Sequence, residues 1–186
     1  MADIILASAS PRRRELLALA GVDFSVKVAD VNEVIPENAK PDEVVMSLAM
    51  QKAQAVANEN PDSIVIGSDT VVALDGEILG KPKSEENAAQ MLTMLSGRSH
   101  TVYTGVAIIH GEKTKNFCEA TEVVFHNLTE KEICNYIATG ECMDKAGAYG
   151  IQGKGCVLVE KINGDYFNVV GLPVSKLYRE LRDFNV

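Results

Sequence analysis

The sequence contains no long hydrophobic run and no excess of positive charge. No apolar stretch approaches the ~18 residues of a membrane-spanning helix, so we expect no membrane partner. Lys and Arg number 18 against 26 Asp and Glu, and the formal net charge is −8. Because nucleic-acid-binding surfaces are basic, we also expect no nucleic-acid partner. An acidic protein that binds a polyanion needs local Lys and Arg side chains, and we expect it to use a divalent metal.

Cysteines are few, and none is spaced for metal binding. The four cysteines, at positions 118, 134, 142 and 156, contain no C-x-x-C pair, which argues against a zinc site. The first residues lack the basic segment and long apolar core of a secretory signal. We therefore expect reduced thiols and a cytoplasmic location.

The chain also lacks internal repeats, low-complexity tracts and linkers. Its 186 residues predict a single domain, 1–186, large enough to bury a core. Strand-like and helix-like segments alternate in a mixed order, which predicts an α/β fold with parallel and antiparallel strand pairs. The clearest predicted helices cover 41–58, 85–96 and 173–184, and two strands are predicted to meet in a hairpin at Asn163-Gly164.

The glycine-rich run 147–155 does not fit the phosphate-binding loop pattern. Five residues separate Gly147 from Gly153-Lys154 where that pattern needs four, and Gly155 replaces its Ser or Thr. Such a run still lets a ligand approach the backbone closely. Gln152 offers an amide donor and an acceptor, which suits the edge of uracil or thymine. A plain turn is the alternative interpretation.

Three arginines stand at the start of the first predicted helix. Ile4 to Leu6 form an apolar strand, Ser10 is a suitable N-cap, and Pro11 fits the first helical position. Residues 12–14 are all Arg, where the helix dipole makes each cation cost about 0.3–1 kcal/mol. An anion bound among them would explain the arrangement. The alternative is a solvated basic face.

A carboxylate interrupts the next apolar strand. Ser68, Asp69 and Thr70 follow the run 64–66, and the apolar sequence resumes at Val71. Ligands of α/β folds bind at the carboxyl ends of strands, so Asp69 is predicted to be functional rather than a turn cap.

Two further charged residues are weaker candidates when taken alone. Glu33 lies in a loop after a strand and could join Asp69 in holding Mg²⁺, which uses one or two carboxylates beside phosphates. Lys81 follows Gly80 and precedes Pro82, where a surface lysine in a turn is the alternative.

Several long motifs resemble the Maf family of nucleoside triphosphate pyrophosphatases along essentially the whole chain. They are LASASPRR (6–13), GSDT (67–70), LGKP (79–82), LSGRSH (95–100), DKAGAYGIQG (144–153), INGDY (162–166) and VGLP (170–173). The resemblance implies an elongated mixed β-sheet flanked by helices, with two lobes and a central cleft, as in the inosine triphosphate pyrophosphatases.

The resemblance also implies a reaction and the residues that carry it. The expected reaction is metal-dependent hydrolysis of a nucleoside triphosphate to the monophosphate and pyrophosphate. Asp69 matches the family's proton acceptor. Glu33 and Asp69 are the expected ligands of Mg²⁺ or Mn²⁺. Four residues are expected to bind phosphate oxygens: Ser8, Arg13, Lys52 and Lys81.

Substrate choice is expected to depend on Arg12, Thr70 and Gln152. This combination resembles the branch that acts on dTTP and UTP. Arg12 and Gln152 would read the pyrimidine, and Thr70 would shape the pocket beside Asp69. The family also implies a homodimer and a role in nucleotide-pool cleansing or cell-division arrest. Two other classes remain open, namely a septum-formation regulator with a protein partner and a non-catalytic nucleotide sensor.

Overall fold

Long strands form the centre of the molecule. The computed structural model describes residues 2–28 and 30–186. The strands are β1 (Ile4–Ala7), β2 (Ser25–Val26), β3 (Ile64–Leu74), β4 (Glu77–Leu79), β5 (Ser99–His110), β6 (Lys113–Phe125) and β7 (Val159–Asn163). The helices are α1 (Pro11–Leu19), α2 (Pro41–Ala57), α3 (Glu85–Leu95), α4 (Glu130–Ile137), α5 (Tyr166–Val170) and α6 (Val174–Leu181). Short 3-10 turns cover Ala146–Ala148, Gly153–Leu158 and Arg182–Phe184.

All these strands belong to one mixed sheet, as predicted. Its order is β2-β1-β3-β5-β6-β7, and β4 pairs with β3. β1 runs parallel to β2 and β3, and the other pairs are antiparallel. Side chains alternate between the two faces of a strand. Ile4 and Leu6 therefore pack with α1 and α6, whereas Ile5 and Ala7 pack with α2 on the opposite face.

The buried side chains fall into separate clusters along the long strands. One cluster, the α3–α4 core, joins the later half of β3 to α3, α4 and the 3-10 turns Ala146–Ala148 and Gly153–Leu158. A second cluster, the α1–α6 core, joins β1 and the first half of β3 to α1 and α6. A smaller third cluster lies under α2. The long strands run through both main clusters, so they join two lobes, as expected.

β3 changes neighbours halfway along its length. β1 pairs with it as far as Ala7↔Gly67, and β4 begins only at Val72↔Leu79. Residues 68–71 therefore have no strand partner on that edge in the part of the chain that the structure describes. We call them the open segment of β3. The other edge is fully paired, with Asp69 opposite Gly105 of β5.

The prediction that the strand stops before Asp69 was wrong. β3 continues through Asp69 and Thr70 because pairing with β5 keeps the backbone hydrogen-bonded there. Only the pairing with β1, on the other edge of β3, ends before Asp69. The carboxylate still lies at the carboxyl end of a parallel pair, which is the feature that the prediction used.

α2 lies against the backbone of the sheet at two glycines. A Cβ at Gly67 would lie 2.3 Å from the carbonyl oxygen of Ala49, and one at Gly105 would lie 2.2 Å from that of Val45. Only glycine allows this approach, because a real Cβ would force the helix away. The close packing holds α2 directly over the middle of β3.

The hairpin predicted at Asn163-Gly164 was also wrong. β7 ends at Asn163, and Asp165 then caps α5 by accepting a hydrogen bond from the N–H of Phe167 at 2.8 Å. The aspartate directly after the turn starts a helix instead of a strand. Within residues 2–28 and 30–186, no helix has the length and apolar character needed to cross a membrane.

Candidate active site

The open segment of β3 lines a cleft of about 990 Å³. Its walls come from both lobes, and its volume suits a small-molecule ligand. All the candidate side chains line it: Ser8, Arg12, Arg13, Glu33, Lys52, Asp69, Thr70, Lys81 and Gln152. A smaller groove of about 360 Å³, formed by α1, α5 and α6, contains none of them.

Two carboxylates meet one ammonium group at the α2 side of the cleft. Lys52 Nζ lies 2.5 Å from Asp69 Oδ1 and 2.9 Å from Glu33 Oε1. Asp69 is largely buried, with 15% of its side chain exposed, whereas Glu33 is 45% exposed. The position of α2 over β3 brings Lys52 to Asp69, and the loop after β2 brings Glu33 to the same nitrogen. These residues lie far apart in the sequence but share one site.

The carboxylate pair has the chemistry of a hard-cation site that needs a ligand to complete it. Among the described residues, no group of three or more His, Cys, Asp or Glu could hold a metal ion by itself. Asp69 and Glu33 do converge on one positive charge. Mg²⁺ often binds to one or two carboxylates and completes its shell with water and phosphate oxygens. The donor set therefore fits a cation that arrives with a phosphorylated ligand.

Arg13 fills the open segment of β3. Its Nε donates to the carbonyl oxygen of Gly171 at 2.8 Å, and Nη1 donates to that of Ser68 at 2.8 Å. Nη1 also reaches Ser8 Oγ at 3.4 Å, and Nη2 donates to Thr70 Oγ1 at 2.9 Å. Burial lowers the pKa of Arg13, although the nearby Asp69 acts in the opposite direction. Of the five guanidinium N–H groups, one on Nη2 donates to none of the described residues and can donate to a ligand.

The three consecutive arginines do not surround one point. Arg13 enters the open segment, Arg12 pairs with Asp144, and Arg14 is exposed outside the cleft lining. Ser10 caps α1 as predicted, with its Oγ accepting the N–H of Arg13 at 3.4 Å. The start of α1 faces the cleft, so its positive dipole end is available to an anion. Arg12 and Arg13 line the cleft and Arg14 does not, and the anion predicted among the arginines stays a prediction.

Arg12 forms an ion pair across the cleft. Its Nη1 lies 3.1 Å from Asp144 Oδ2, and Lys145 Nζ lies 2.6 Å from Asp144 Oδ1. Burial opposes ionisation of Asp144, but hydrogen bonds from Lys145 and Arg12 outweigh it and lower the pKa of the carboxyl group. The guanidinium of Arg12 is therefore held beside the glycine-rich loop that carries Gln152.

Thr70 faces away from Asp69. Consecutive residues of a strand point to opposite faces, so Asp69 meets α2 while Thr70 meets α1. Thr70 Oγ1 accepts a hydrogen bond from Arg13 and lies 3.0 Å from Thr104 Oγ1. Thr70 also lines the cleft, so its role in shaping the pocket stays a prediction, and its hydroxyl contacts Arg13 in addition.

Lys81 and Gln152 lie on the wall opposite α1. Both are exposed, and Lys81 has no ion-pair partner among the described residues. Gln152 precedes the 3-10 turn Gly153–Leu158, and the N–H of Lys154 donates to Glu141 Oε2 at 3.0 Å. The backbone of this loop is therefore tied to the lobe that contains α4. The Gln152 amide makes no hydrogen bond to residues 2–28 or 30–186 and can contact a ligand.

Two residues that contact the site escaped the sequence analysis. Asp144 starts the motif 144–153 and could have been found as the only carboxylate within it. Gln51 contacts the loop that carries Glu33, and nothing in its neighbourhood of α2 distinguishes it from other polar helix residues.

Comparisons with known proteins agree on one family. A family model described as Maf-like protein matches residues 3–184. A dTTP/UTP pyrophosphatase from Bacillus cereus is 58% identical over 186 residues, which is 100% of this chain and 97% of the relative. A protein of the same name from Bacillus anthracis is 57% identical with the same coverage.

A solved structure shares the fold at low sequence identity. The HAM1 protein from Coxiella burnetii superposes with a TM-score of 0.55 and 15% identity, over 98% of this chain and 100% of that chain. The likeness supports the arrangement of the sheet and its flanking helices.

Proposed function

Since the chain belongs to the Maf family, we propose that it is a nucleoside triphosphate pyrophosphatase that hydrolyses dTTP and UTP. The products are the nucleoside monophosphate and pyrophosphate. One observation carries the proposal. The largely buried carboxylate of Asp69, the carboxylate of Glu33 and the ammonium group of Lys52 meet in one cleft. Arg12 and Arg13 line the same cleft. The relatives that are 58% identical over the whole chain support the choice of substrates.

Asp69 acts as the proton acceptor. It takes the proton of a water molecule whose oxygen attacks the α-phosphorus, and the bond from that phosphorus to the bridging oxygen breaks to release pyrophosphate. Its partial burial supports this role, because a carboxylate shielded from bulk solvent keeps a fixed position relative to the phosphate.

Glu33 and Asp69 would hold a divalent cation, Mg²⁺ or Mn²⁺, which would supply charge neutralisation at the phosphates when bound. Lys52 balances both carboxylates in the free protein. It then turns to the phosphate oxygens as the substrate enters.

The other phosphate contacts come from two sides of the cleft. Ser8 and the free N–H of Arg13 approach from the α1 side, and Lys81 approaches from the β4 side. These donors bind most strongly where charge develops on the leaving pyrophosphate, so they favour the transition state over the bound substrate.

The base is read by Arg12 and Gln152. The Gln152 amide can donate to a carbonyl and accept from an N–H, as the edge of uracil or thymine requires. Thr70 contributes by fixing Arg13 through its hydroxyl. Nucleotide-pool cleansing is the role we assign, with cytoplasmic location and homodimerisation resting on the family alone.

The test is to incubate the purified protein with pyrimidine and purine triphosphates, with and without Mg²⁺ or Mn²⁺, and to assay pyrophosphate and orthophosphate separately. We expect metal-dependent pyrophosphate release concentrated on dTTP and UTP. Pyrophosphate from purine triphosphates would keep the reaction and overturn the role of Arg12 and Gln152. Nucleotide binding without any release would favour the non-catalytic sensor.

The role of Asp69 is tested by Asp69→Asn, which keeps the shape of the side chain. Loss of a general base should reduce kcat by about 10²–10⁴-fold. The matched control is Asp75→Asn, because Asp75 lies in the exposed β3–β4 turn and its one ion-pair partner among the described residues is Arg98. Wild-type turnover by Asp69→Asn with an unchanged melting temperature would exclude Asp69 as the base.

A further inference from the structure

The loop that carries Glu33 has little to hold it in place. Between β2 and α2, residues 27–40 contain no helix or strand in the part of the loop that the structure describes. Its large apolar side chains do not anchor it, because Val28, Val34 and Ile35 are 61%, 68% and 60% exposed. Something other than hydrophobic burial must therefore fix the position of Glu33.

Gln51 of α2 makes a reciprocal contact with the backbone of this loop. Its Oε1 accepts the N–H of Val34 at 2.9 Å, and its Nε2 donates to the carbonyl oxygen of Val34 at 2.8 Å. The amide thus pairs with Val34 as one peptide group pairs with another in a sheet. Both backbone groups of the residue next to Glu33 are satisfied by one side chain.

Gln51 is itself held in position. Its Nε2 also donates to Ser47 Oγ at 3.1 Å, one helical turn earlier. The next residue, Lys52, contacts Glu33 and Asp69. Two consecutive residues of α2 therefore hold two consecutive residues of the loop. Gln51 binds the backbone of Val34, and Lys52 binds the carboxylate of Glu33. Apart from these contacts and the turn in which the N–H of Ala39 donates to the carbonyl oxygen of Pro36, residues 28 and 30–38 make no hydrogen bond or ion pair to the other described residues.

We propose that Gln51 is a positioning residue that places Glu33 for binding of the divalent cation. The proposal rests on the proposed metal role of Glu33. When a cation and phosphates draw Lys52 away, the ion pair between Lys52 and Glu33 is lost. The Gln51–Val34 pair then keeps the Glu33 carboxylate within reach of Asp69. Residues that orient metal ligands typically change metal affinity or activity about 10–100-fold when mutated.

The test is Gln51→Leu, which keeps a similar volume and removes both hydrogen bonds. Mn²⁺ binding is measured by electron paramagnetic resonance in the presence of a non-hydrolysable α,β-imido analogue of dTTP. We expect Mn²⁺ to bind about 10–100-fold more weakly, and half-maximal pyrophosphate release to need correspondingly more metal. At saturating metal, kcat should stay within about twofold of wild type, because Gln51 does not touch the reacting atoms.

Gln54→Leu is the matched control. Gln54 lies on the same helix and is exposed, and within the described part of the chain its side chain donates only to Asn58 Oδ1. It should leave Mn²⁺ binding unchanged. Hydrogen exchange at the Val34 amide provides a readout that is independent of metal and activity, and we expect its protection to be lost in Gln51→Leu alone.

The possible failures can be told apart. Mn²⁺ binding that is equal in wild type and Gln51→Leu would overturn the role of Gln51 and leave the proposed function intact. Unchanged protection of Val34 in Gln51→Leu would show that the amide pair does not hold the loop, and would also overturn it. A wild-type protein that binds no Mn²⁺ would overturn the metal role of Glu33 together with the role of Gln51.

Discussion

At the residue scale, the site depends on the alternation of side chains along the open segment of β3. Asp69 points towards α2. The carbonyl oxygen of Ser68 and the hydroxyl of Thr70 both accept hydrogen bonds from the guanidinium of Arg13. One short run of strand therefore holds a carboxylate on one face and a guanidinium on the other. The missing strand partner is what lets Arg13 donate to the backbone there.

A buried histidine supports the wall of the cleft. His100 Nε2 lies 2.7 Å from the hydroxyl of Tyr149, a residue of the cleft lining, and its ring packs edge-on against Phe125 and Tyr149 at 5.0 and 5.3 Å. Burial lowers the pKa of His100 to about 4. The imidazole is therefore neutral at physiological pH.

This histidine predicts a pH-dependent stability. In the unfolded chain His100 titrates near its ordinary pKa of about 6.5, so between pH 6.5 and 4 the unfolded state binds more protons. The free energy of unfolding should thus fall as the pH is lowered through that window, by an amount on the order of 3 kcal/mol from this group. Urea unfolding at pH 7 and pH 4 measures it.

Carboxylates also titrate in this range, so the contribution of His100 is obtained by comparing variants. His100→Phe should show a smaller acid-induced loss than wild type, whereas His126→Gln, at an exposed position, should match wild type. Equal losses in wild type and His100→Phe would mean that His100 does not titrate differently in the two states.

The candidate residues could be predicted from the sequence, but their partners could not. Asp69, Arg13 and Gln152 occur in motifs whose residue types suggest their chemistry. The acceptor of Arg13 Nε is the carbonyl oxygen of Gly171, which is 158 positions away. A backbone acceptor leaves no trace in residue type, so only the fold reveals it. The same holds for Gln51, whose partner is the backbone of Val34.

At the element scale, α2 is the part that the sequence predicted best. Pro41 at its first position and a regular apolar face placed it at 41–58, and the structure has Pro41–Ala57. The two wrong predictions have different causes, one distant in sequence and one local. β3 continues past Asp69 because β5 pairs with it, and the turn at Asn163-Gly164 is followed by a helix because Asp165 caps it.

The contact between α2 and β5 predicts the effect of a single methyl group. Gly105→Ala would place a Cβ 2.2 Å from the carbonyl oxygen of Val45, so α2 must move away from the sheet. Overpacking of this kind typically costs about 1–3 kcal/mol of stability. We expect a loss of that size in urea unfolding, with reduced turnover because Lys52 moves with the helix.

Gly80→Ala is the control for stability, because nothing lies within 4 Å of a Cβ at that position. It should unfold at nearly the same urea concentration as wild type. A Gly105→Ala protein as stable as wild type would show that α2 can shift without cost, and would weaken the argument that glycine fixes the position of Lys52.

At the scale of the whole molecule, the cleft separates two buried cores that share the long strands. Leu16 and Leu17 of α1 belong to the α1–α6 core, and Ala148 belongs to the α3–α4 core. The ion pair between Arg12 and Asp144 therefore spans the cleft, from the first turn of α1 to the segment before Ala148. The opposite lobe therefore positions Arg12, which we propose contacts the base of the nucleotide.

This bridge predicts a change in substrate affinity together with a loss of stability of at most about 1 kcal/mol. The side chains of Arg12 and Asp144 are 29% and 63% exposed, and ion pairs in such settings contribute about 0.2–1 kcal/mol. Asp144→Asn should thus raise KM for dTTP by up to about fivefold, since 1 kcal/mol corresponds to that factor at most, and leave kcat near wild type. Steady-state kinetics on dTTP and on a purine triphosphate measures the effect, which should be absent for the purine.

Asp75→Asn removes a comparable exposed pair with Arg98 outside the cleft and should leave KM unchanged for both substrates. A lower KM for dTTP in Asp144→Asn would contradict this view, because it would mean that Asp144 competes with the substrate for Arg12.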